Sequence, residues 1–343
     1  MLKKSKIFLL ALSAIFLNGC VTDMQDFPLL KAPGFWKEGN AEKANITDQE
    51  GLKSWWENFE DPVMNELVQR TLEGSPDRKI AKARIMEARG LSRTARSFQF
   101  PQLGFSGNGN RQDFGFAGPG DFFETGFDAS YEIDVFGRVR NSIDASSAAV
   151  RTFEAEYKDV TLTLIADVTR SYVQYRAAQK QALIAQKNLD IQIETLDLVK
   201  EQYKYGEAPK LDVERAENLV NTTKASIPDF LRLADNFRLQ LSVLTGDLPE
   251  DIAPILQEPS DIPQTQVELV LLKPSDVLTQ RPDIQASIAN LASKTSLTKT
   301  AIAELFPTFT LEGLFGYSRA AFSGTEMIWR IALGTAATLM DFG

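Results

Sequence analysis

Phe123-Glu124-Thr125-Gly126-Phe127-Asp128-Ala129-Ser130-Tyr131-Glu132-Ile133-Asp134 repeats with a period of two. The odd positions carry Phe, Thr, Phe, Ala, Tyr and Ile; the even positions carry acids, serine or glycine. Successive side chains of a β-strand point to opposite faces, so this alternation reads as a strand over 122–136 with one apolar and one polar face. Residues 103–113 share the period. Phe114-Gly115-Phe116-Ala117-Gly118-Pro119-Gly120 between them is a loop by its glycines and proline. Residues 103–136 therefore read as a β-hairpin. Strands of about ten residues with two such faces suit a transmembrane barrel; a soluble sandwich with one buried face shows the same alternation.

The pattern recurs. Ser75-Pro76-Asp77, Phe100-Pro101 and Phe136-Gly137 return as Arg281-Pro282-Asp283, Phe306-Pro307 and Phe342-Gly343, each 206 residues on. Phe309, Leu311, Phe315 and Tyr317, then Trp329, Ile331 and Leu333, keep the apolar face on odd numbers, as an even offset demands. A long internal repeat implies one structural unit used twice. Two hairpins supply four strands, whereas closed membrane barrels start at about eight. An open sheet edge cannot face lipid, so a barrel requires several chains.

Outside the hairpins the period lengthens. Residues 55–73 and 77–97 read as helices. Residues 138–205 contain neither glycine nor proline. Leu162, Ile165, Val168, Tyr172 and Tyr175 run at helical spacing there, continued by Ala182, Ala185, Leu189, Ile193, Leu196, Val199 and Tyr203. Such a helix would be roughly 100 Å long. Gly206-Glu207-Ala208-Pro209 turns the chain, and a second helix returns toward Leu244-Thr245-Gly246. Pro228 is expected to kink or break it. Residues 247–273, rich in proline and acids, read as a linker. The expected divisions are a signal segment 1–19, a tether 20–54, a first repeat 55–246, the linker, and a second repeat 274–343. The second repeat lacks a counterpart of the helical hairpin 138–246.

Lys3, Lys4 and Lys6 precede the apolar run Ile7–Phe16, which is too short to span a bilayer as a helix. Leu17-Asn18-Gly19-Cys20 follows and resembles a bacterial lipoprotein signal. That resemblance implies cleavage before Cys20, acylation of Cys20, palmitate included, and, with Val21 next, sorting to the outer membrane. Cys20 is the only cysteine, and the chain has no histidine. Ser-His-Asp and Cys-His catalysis, His/Cys metal sites and an internal disulfide are therefore excluded. No cofactor is expected. Formal net charge is -9; residues 1–19 hold three lysines and no acid, so their removal gives -12. That balance argues against nucleic acid as a partner.

Several segments in order resemble the outer-membrane efflux proteins, the TolC-like channels, and among them the NodT-type lipoprotein branch. They are Trp55-Trp56 with Phe59 and Asp61-Pro62; Ser130-Tyr131-Glu132-Ile133-Asp134-Val135-Phe136-Gly137-Arg138; and Leu211-Asp212-Val213 with Ala216 and Glu217. Ile227-Pro228, Leu244-Thr245-Gly246, Pro274-Ser275-Asp276, Arg281-Pro282-Asp283-Ile284 and Phe306-Pro307 complete the set. The resemblance implies a mainly α protein with membrane β, in which a long α-helical hairpin barrel joins a transmembrane β-barrel. A homotrimer would supply four strands per chain. The protein would be the passive exit duct of a tripartite efflux pump, spanning the outer membrane and extending into the periplasm. It would export drugs or other small molecules and work with a periplasmic adaptor and an inner-membrane pump. Gln202 and Pro209 stand where the family has arginine and serine-like residues near the hairpin tip. The family's second helical hairpin, which forms its inner gate, is expected after Gly343, so these residues alone are not expected to form a sealed, gated tunnel.

Cys20 is the expected lipid anchor. Glu124, Asp128, Glu132 and Asp134 are candidates for a lumen-facing row that favours cations; plain solvation of a wet face is the simpler reading of them. Tyr203, Gly206, Leu211 and Asp212 are candidates for adaptor contact, against an ordinary exposed tip. Trp329 suits either a membrane interface or a contact between protomers, and Trp55 and Trp56 suit packing. A periplasmic adaptor or a pore-less envelope scaffold lipoprotein is the alternative function. The duplicated two-faced strands argue against an adaptor.

Overall fold

The computed structural model describes residues 54–113, 115–257, 260–265, 274–319 and 324–338. Cys20, the signal segment, nearly all of the tether and the Phe342-Gly343 landmark lie outside the described residues.

The chain begins with a 3-10 turn at Trp55–Phe59, then α1 at Pro62–Gly74 and α2 at Pro76–Ser97. Strands β1 (Gln102–Asp113) and β2 (Pro119–Ile133) form the first hairpin. The long helix α3 (Arg138–Lys204) and its return α4 (Lys210–Thr245) follow, then the short α5 (Pro249–Leu256). Helices α6 (Pro274–Gln280) and α7 (Pro282–Ala303) lead into β3 (Thr308–Arg319) and β4 (Thr325–Ala336). Pro282, Thr308 and Thr325 begin their elements 206 residues beyond Pro76, Gln102 and Pro119. The duplication seen in the residues is thus a duplication of structure.

Three expectations need correction. Residues 55–73 are not one helix. Glu60 is left-handed at φ 50°, Asp61 then caps α1, and Pro62 occupies its first turn. The Asp61 carboxylate accepts from the Val63 and Met64 N–H groups at 2.9 and 3.0 Å. These are donors that a helix start otherwise leaves unpaired.

Pro228 neither breaks α4 nor divides it, for the helix runs continuously from Lys210 to Thr245. Pro228 is exposed, so water can reach the carbonyl left without its usual N–H partner. Its neighbour Ile227 packs on the hairpin core of Leu189, Leu196 and Val220. Finally, the stretch read as a linker contains α5. Pro249 in its first turn and the acids Glu250 and Asp251 are helix-start signals, and Ile252 and Leu256 are buried.

The main core lies where α1, α3, α4 and α5 meet. Met64, Leu67 and Val68 pack with Val168, Tyr172 and Tyr175, Leu241, and Ile252 and Leu256. Trp55, Trp56 and Phe59 cover its rim. Two helix ends, those of α1 and α4, cross here without side chains between them. A Cβ on Gly74 would fall onto the Thr245 carbonyl, and one on Gly246 would lie 2.6 Å from the Gly74 oxygen. Gly246 also holds φ 77°, a left-handed helix end that glycine adopts without strain. Nearer the sheet, small residues bring the helices together. Ala145, Ala148 and Ala155 of α3 and Ala286 and Ala289 of α7 are buried, and Ser293 donates to the Ala145 carbonyl at 3.0 Å.

Candidate functional site: the two-faced sheet and the hairpin tip

The four strands form one antiparallel sheet in the order β1-β2-β3-β4. Register pairs odd with odd residues throughout: Phe105 opposite Phe127, Phe127 opposite Phe315, and Phe315 opposite Trp329. Over residues 103–109, 123–133, 309–317 and 327–335 one face therefore carries only apolar, glycine or threonine residues, with Arg111 and Asp121 paired beyond them at the loop end. It is also uncovered, with Phe105 69%, Trp329 69% and Ile331 74% exposed. A soluble sandwich would bury this face against a second layer; the described residues supply none.

The even face is polar. The same register places Asn108, Glu124, Ser318 and Glu326 in one row across the strands. Gly104, Asp128, Leu314 and Arg330 form another. In the row between them, Gly126 and Gly316 oppose each other. A Cβ on Gly126 would lie 2.7 Å from the Phe315 oxygen, and one on Gly316 would fall onto the Thr125 carbonyl. Glycines on one face at such close approach allow a sheet to curve toward that face. Glu312, Glu326 and Arg330 belong to this face but escape a search confined to the first hairpin. Their even numbers were the signal.

The four acidic candidates part company. Glu124 and Asp128 sit on the even face of β2. Glu132 shares that face but is engaged by Arg138, whose Nε donates at 2.8 Å while a second guanidinium nitrogen contacts the other carboxylate oxygen. Asp134 is off the strand altogether. It accepts from the Val139 and Arg140 N–H groups at 3.1 and 2.9 Å and so caps α3. Gly137, just before α3, is left-handed at φ 80°. Phe136 stacks on Phe306 at 4.8 Å, joining landmark residues of the two repeats. The run Glu132–Arg138 is thus a strand-to-helix junction.

At the far end of α3, Tyr203 and Leu211 are exposed, as is Tyr205, which sequence reasoning passed over. Gly206, at φ 80°, donates to the Tyr203 carbonyl at 2.9 Å, and Glu207 donates to Gln202 at 2.8 Å. Asp212 pairs with Arg215 at 3.5 Å. The four tip candidates are therefore gathered at one turn.

A polar cluster ties the main core together. The Tyr172 hydroxyl donates to Asp61 at 2.9 Å and accepts from Arg176 Nε at 3.1 Å. Arg176 is 1% exposed and lies over the Tyr172 and Tyr175 rings. Gln179 donates to the Tyr175 hydroxyl, which donates to the Leu256 carbonyl. Burial, with a smaller contribution from Asp61 and against Arg176, pushes the Tyr172 phenol up to about 12. Burial raises Tyr175 as well.

Among the described residues no helix is long and apolar enough to cross a membrane. No group of three or more His, Cys, Asp or Glu is placed to hold a metal there.

A family model described as outer membrane efflux protein matches residues 67–247. The chain belongs to that family. It is 29% identical over 331 residues to the pyoverdine export outer membrane protein OpmQ of Pseudomonas aeruginosa, covering 92% of this chain and 68% of that protein. It is 28% identical over 310 residues to nodulation protein T of Rhizobium leguminosarum bv. trifolii, covering 88% of this chain and 65% of that protein. The outer-membrane channel OprN superposes with a TM-score of 0.77 at 28% identity, covering 89% of this chain and 72% of that one. The fold is that of the TolC-like channels, and the chain is an outer-membrane efflux channel component.

Proposed function

We propose that three copies of this chain close a barrel through the outer membrane and form the passive exit duct of a tripartite pump for small molecules. The observation that carries this reading is a four-stranded sheet that, among the described residues, has two free edges and an uncovered apolar face. Neither edge can face lipid unpaired. Joining β4 of one copy to β1 of the next satisfies both edges, and three copies give twelve strands. Helix α3, 67 residues long, would carry the duct about 100 Å into the periplasm.

In this arrangement Cys20 is the acylated anchor, Glu124 and Asp128 line the lumen, and Tyr203, Gly206, Leu211 and Asp212 meet a periplasmic adaptor coupled to an inner-membrane pump. The export substrates named for relatives belong to those relatives; here the substrate class is small molecules in general.

The test is chemical cross-linking of outer-membrane vesicles followed by conductance in planar bilayers. A cross-linked trimer with stepwise ion conductance is expected. A monomer that leaves bilayers intact would favour a pore-less scaffold lipoprotein instead.

A further inference from the structure

The odd, apolar face of the sheet carries charge at one end only. Among the described strand residues its charged members are Arg111, Asp113, Asp121 and Arg319. All lie at the loop end of the strands. That end faces away from the helices, because α2, α3 and α7 adjoin the strands at Gln102, Ile133 and Thr308. Three of the charges are engaged. Arg111 pairs with Asp121 at 3.8 Å, and Asp113 accepts from the Gly115 N–H at 3.0 Å. Arg319 is exposed and makes no hydrogen bond or ion pair among the described residues. The register sets it between Phe123 of β2 and Thr325 of β4, neither of which carries a charge to balance it.

Its depth follows from the same register. Phe309, between Ile133 and Thr335, begins the apolar face at the helix end. Arg319 lies ten residues further along β3, roughly 33 Å at about 3.3 Å per residue. Strands of membrane barrels tilt by about 40°, which makes that length a height of about 25 Å, equal to the apolar band of such barrels. Arg319 therefore stands at the border of the band, on its lipid side, level with headgroups. Tyr317, two residues nearer the middle of the same face, is also exposed, and amphipathic rings favour that depth. A guanidinium presents a planar fork of donors that fits a phosphate with two parallel hydrogen bonds.

We propose that Arg319 binds the phosphate of an anionic lipid headgroup in the outer leaflet, with the acyl chains along Tyr317, Met327 and Trp329 of the same face. The proposal rests on the reading that the sheet spans the outer membrane with its helices in the periplasm. An unbalanced cation selects a headgroup of net negative charge over a zwitterion, whose phosphate is already balanced by its own cation.

The test inserts the full chain into phosphatidylcholine vesicles doped with lipid A, an anionic glycolipid bearing phosphate. Lipid A retained per inserted chain after detergent extraction is read by native mass spectrometry, and heat-modifiable migration counts the inserted chains. Arg319→Gln should lower retention about ten-fold, the loss expected for one charge-assisted pair. Arg319→Lys should keep part of it, as a point charge without the fork. Arg330→Gln removes the same charge from the even face and should leave retention as in the unaltered chain. Lipid A stripped of its phosphate should be held no better by the unaltered chain than lipid A is by Arg319→Gln. Retention unchanged in Arg319→Gln, equal losses in Arg319→Gln and Arg330→Gln, or displacement of lipid A by free inorganic phosphate would overturn the assignment. A chain that fails to insert would overturn the membrane reading along with it, whereas one that inserts and holds lipid A independently of Arg319 would overturn this site alone.

Discussion

Tyr172 shows how one residue serves several elements. Its ring fills the core beneath α1 while its hydroxyl links the Asp61 cap to buried Arg176. Tyr172→Phe keeps the ring and leaves both partners short of a hydrogen bond, so a loss of about 1–3 kcal/mol is expected in denaturant unfolding. The alkaline limb gives a second readout. The folded-state value of about 12 lies above the ordinary 10.0, so the native state holds this proton more tightly than the unfolded chain. Its contribution is complete below pH 10 and is lost as the pH rises through 12. Stability should fall across that window in the unaltered protein and less so in Tyr172→Phe; identical slopes would contradict the assignment. Asp134 makes a smaller contribution. Asp134→Ala removes the cap of α3 and should cost roughly 0.5–2 kcal/mol, visible as a lowered unfolding midpoint.

At the scale of elements the sheet is organised by parity. Ile331 lies near the middle of β4 on the apolar face, and Ser130 lies on the even face of β2 opposite Glu312. Arginine on a lipid-facing strand position near the midplane costs about 2–4 kcal/mol. Ile331→Arg should therefore reduce the folded, membrane-inserted fraction sharply, as followed by heat-modifiable migration. Ser130→Arg should insert normally, beside an acidic partner. Equal behaviour of the two variants would mean that the faces are assigned wrongly. Parity was legible from residues 123–134 alone because a strand's side-chain period is fixed by its backbone. Helix α5 was not. Its proline and acids resemble a linker in composition, and only the burial of Ile252 and Leu256 in the core shared with α1, α3 and α4 distinguishes a helix start from a loop.

For the whole molecule, the acids left on the even face should colour transport. Glu132 is matched by Arg138, and Arg330 shares a row with Asp128, whereas Glu124 and Glu326 share a row with no cation. A lumen lined this way should favour cations, measured as a reversal potential in a salt gradient. Glu124→Gln with Asp128→Asn should move it toward zero. An unchanged potential would assign these acids to solvation alone.

By itself the order of residues determined the two-faced strands, the 206-residue duplication, the long helical hairpin and the resemblance to the outer membrane efflux family, because each is carried by the identity and spacing of residues along the chain. Tertiary structure alone decided which acids remain on the polar face, that Asp134 is a cap, and that Tyr172 reaches back 111 residues to Asp61. Those facts depend on which side chains meet across the fold, and spacing along the chain does not encode distances between segments so far apart.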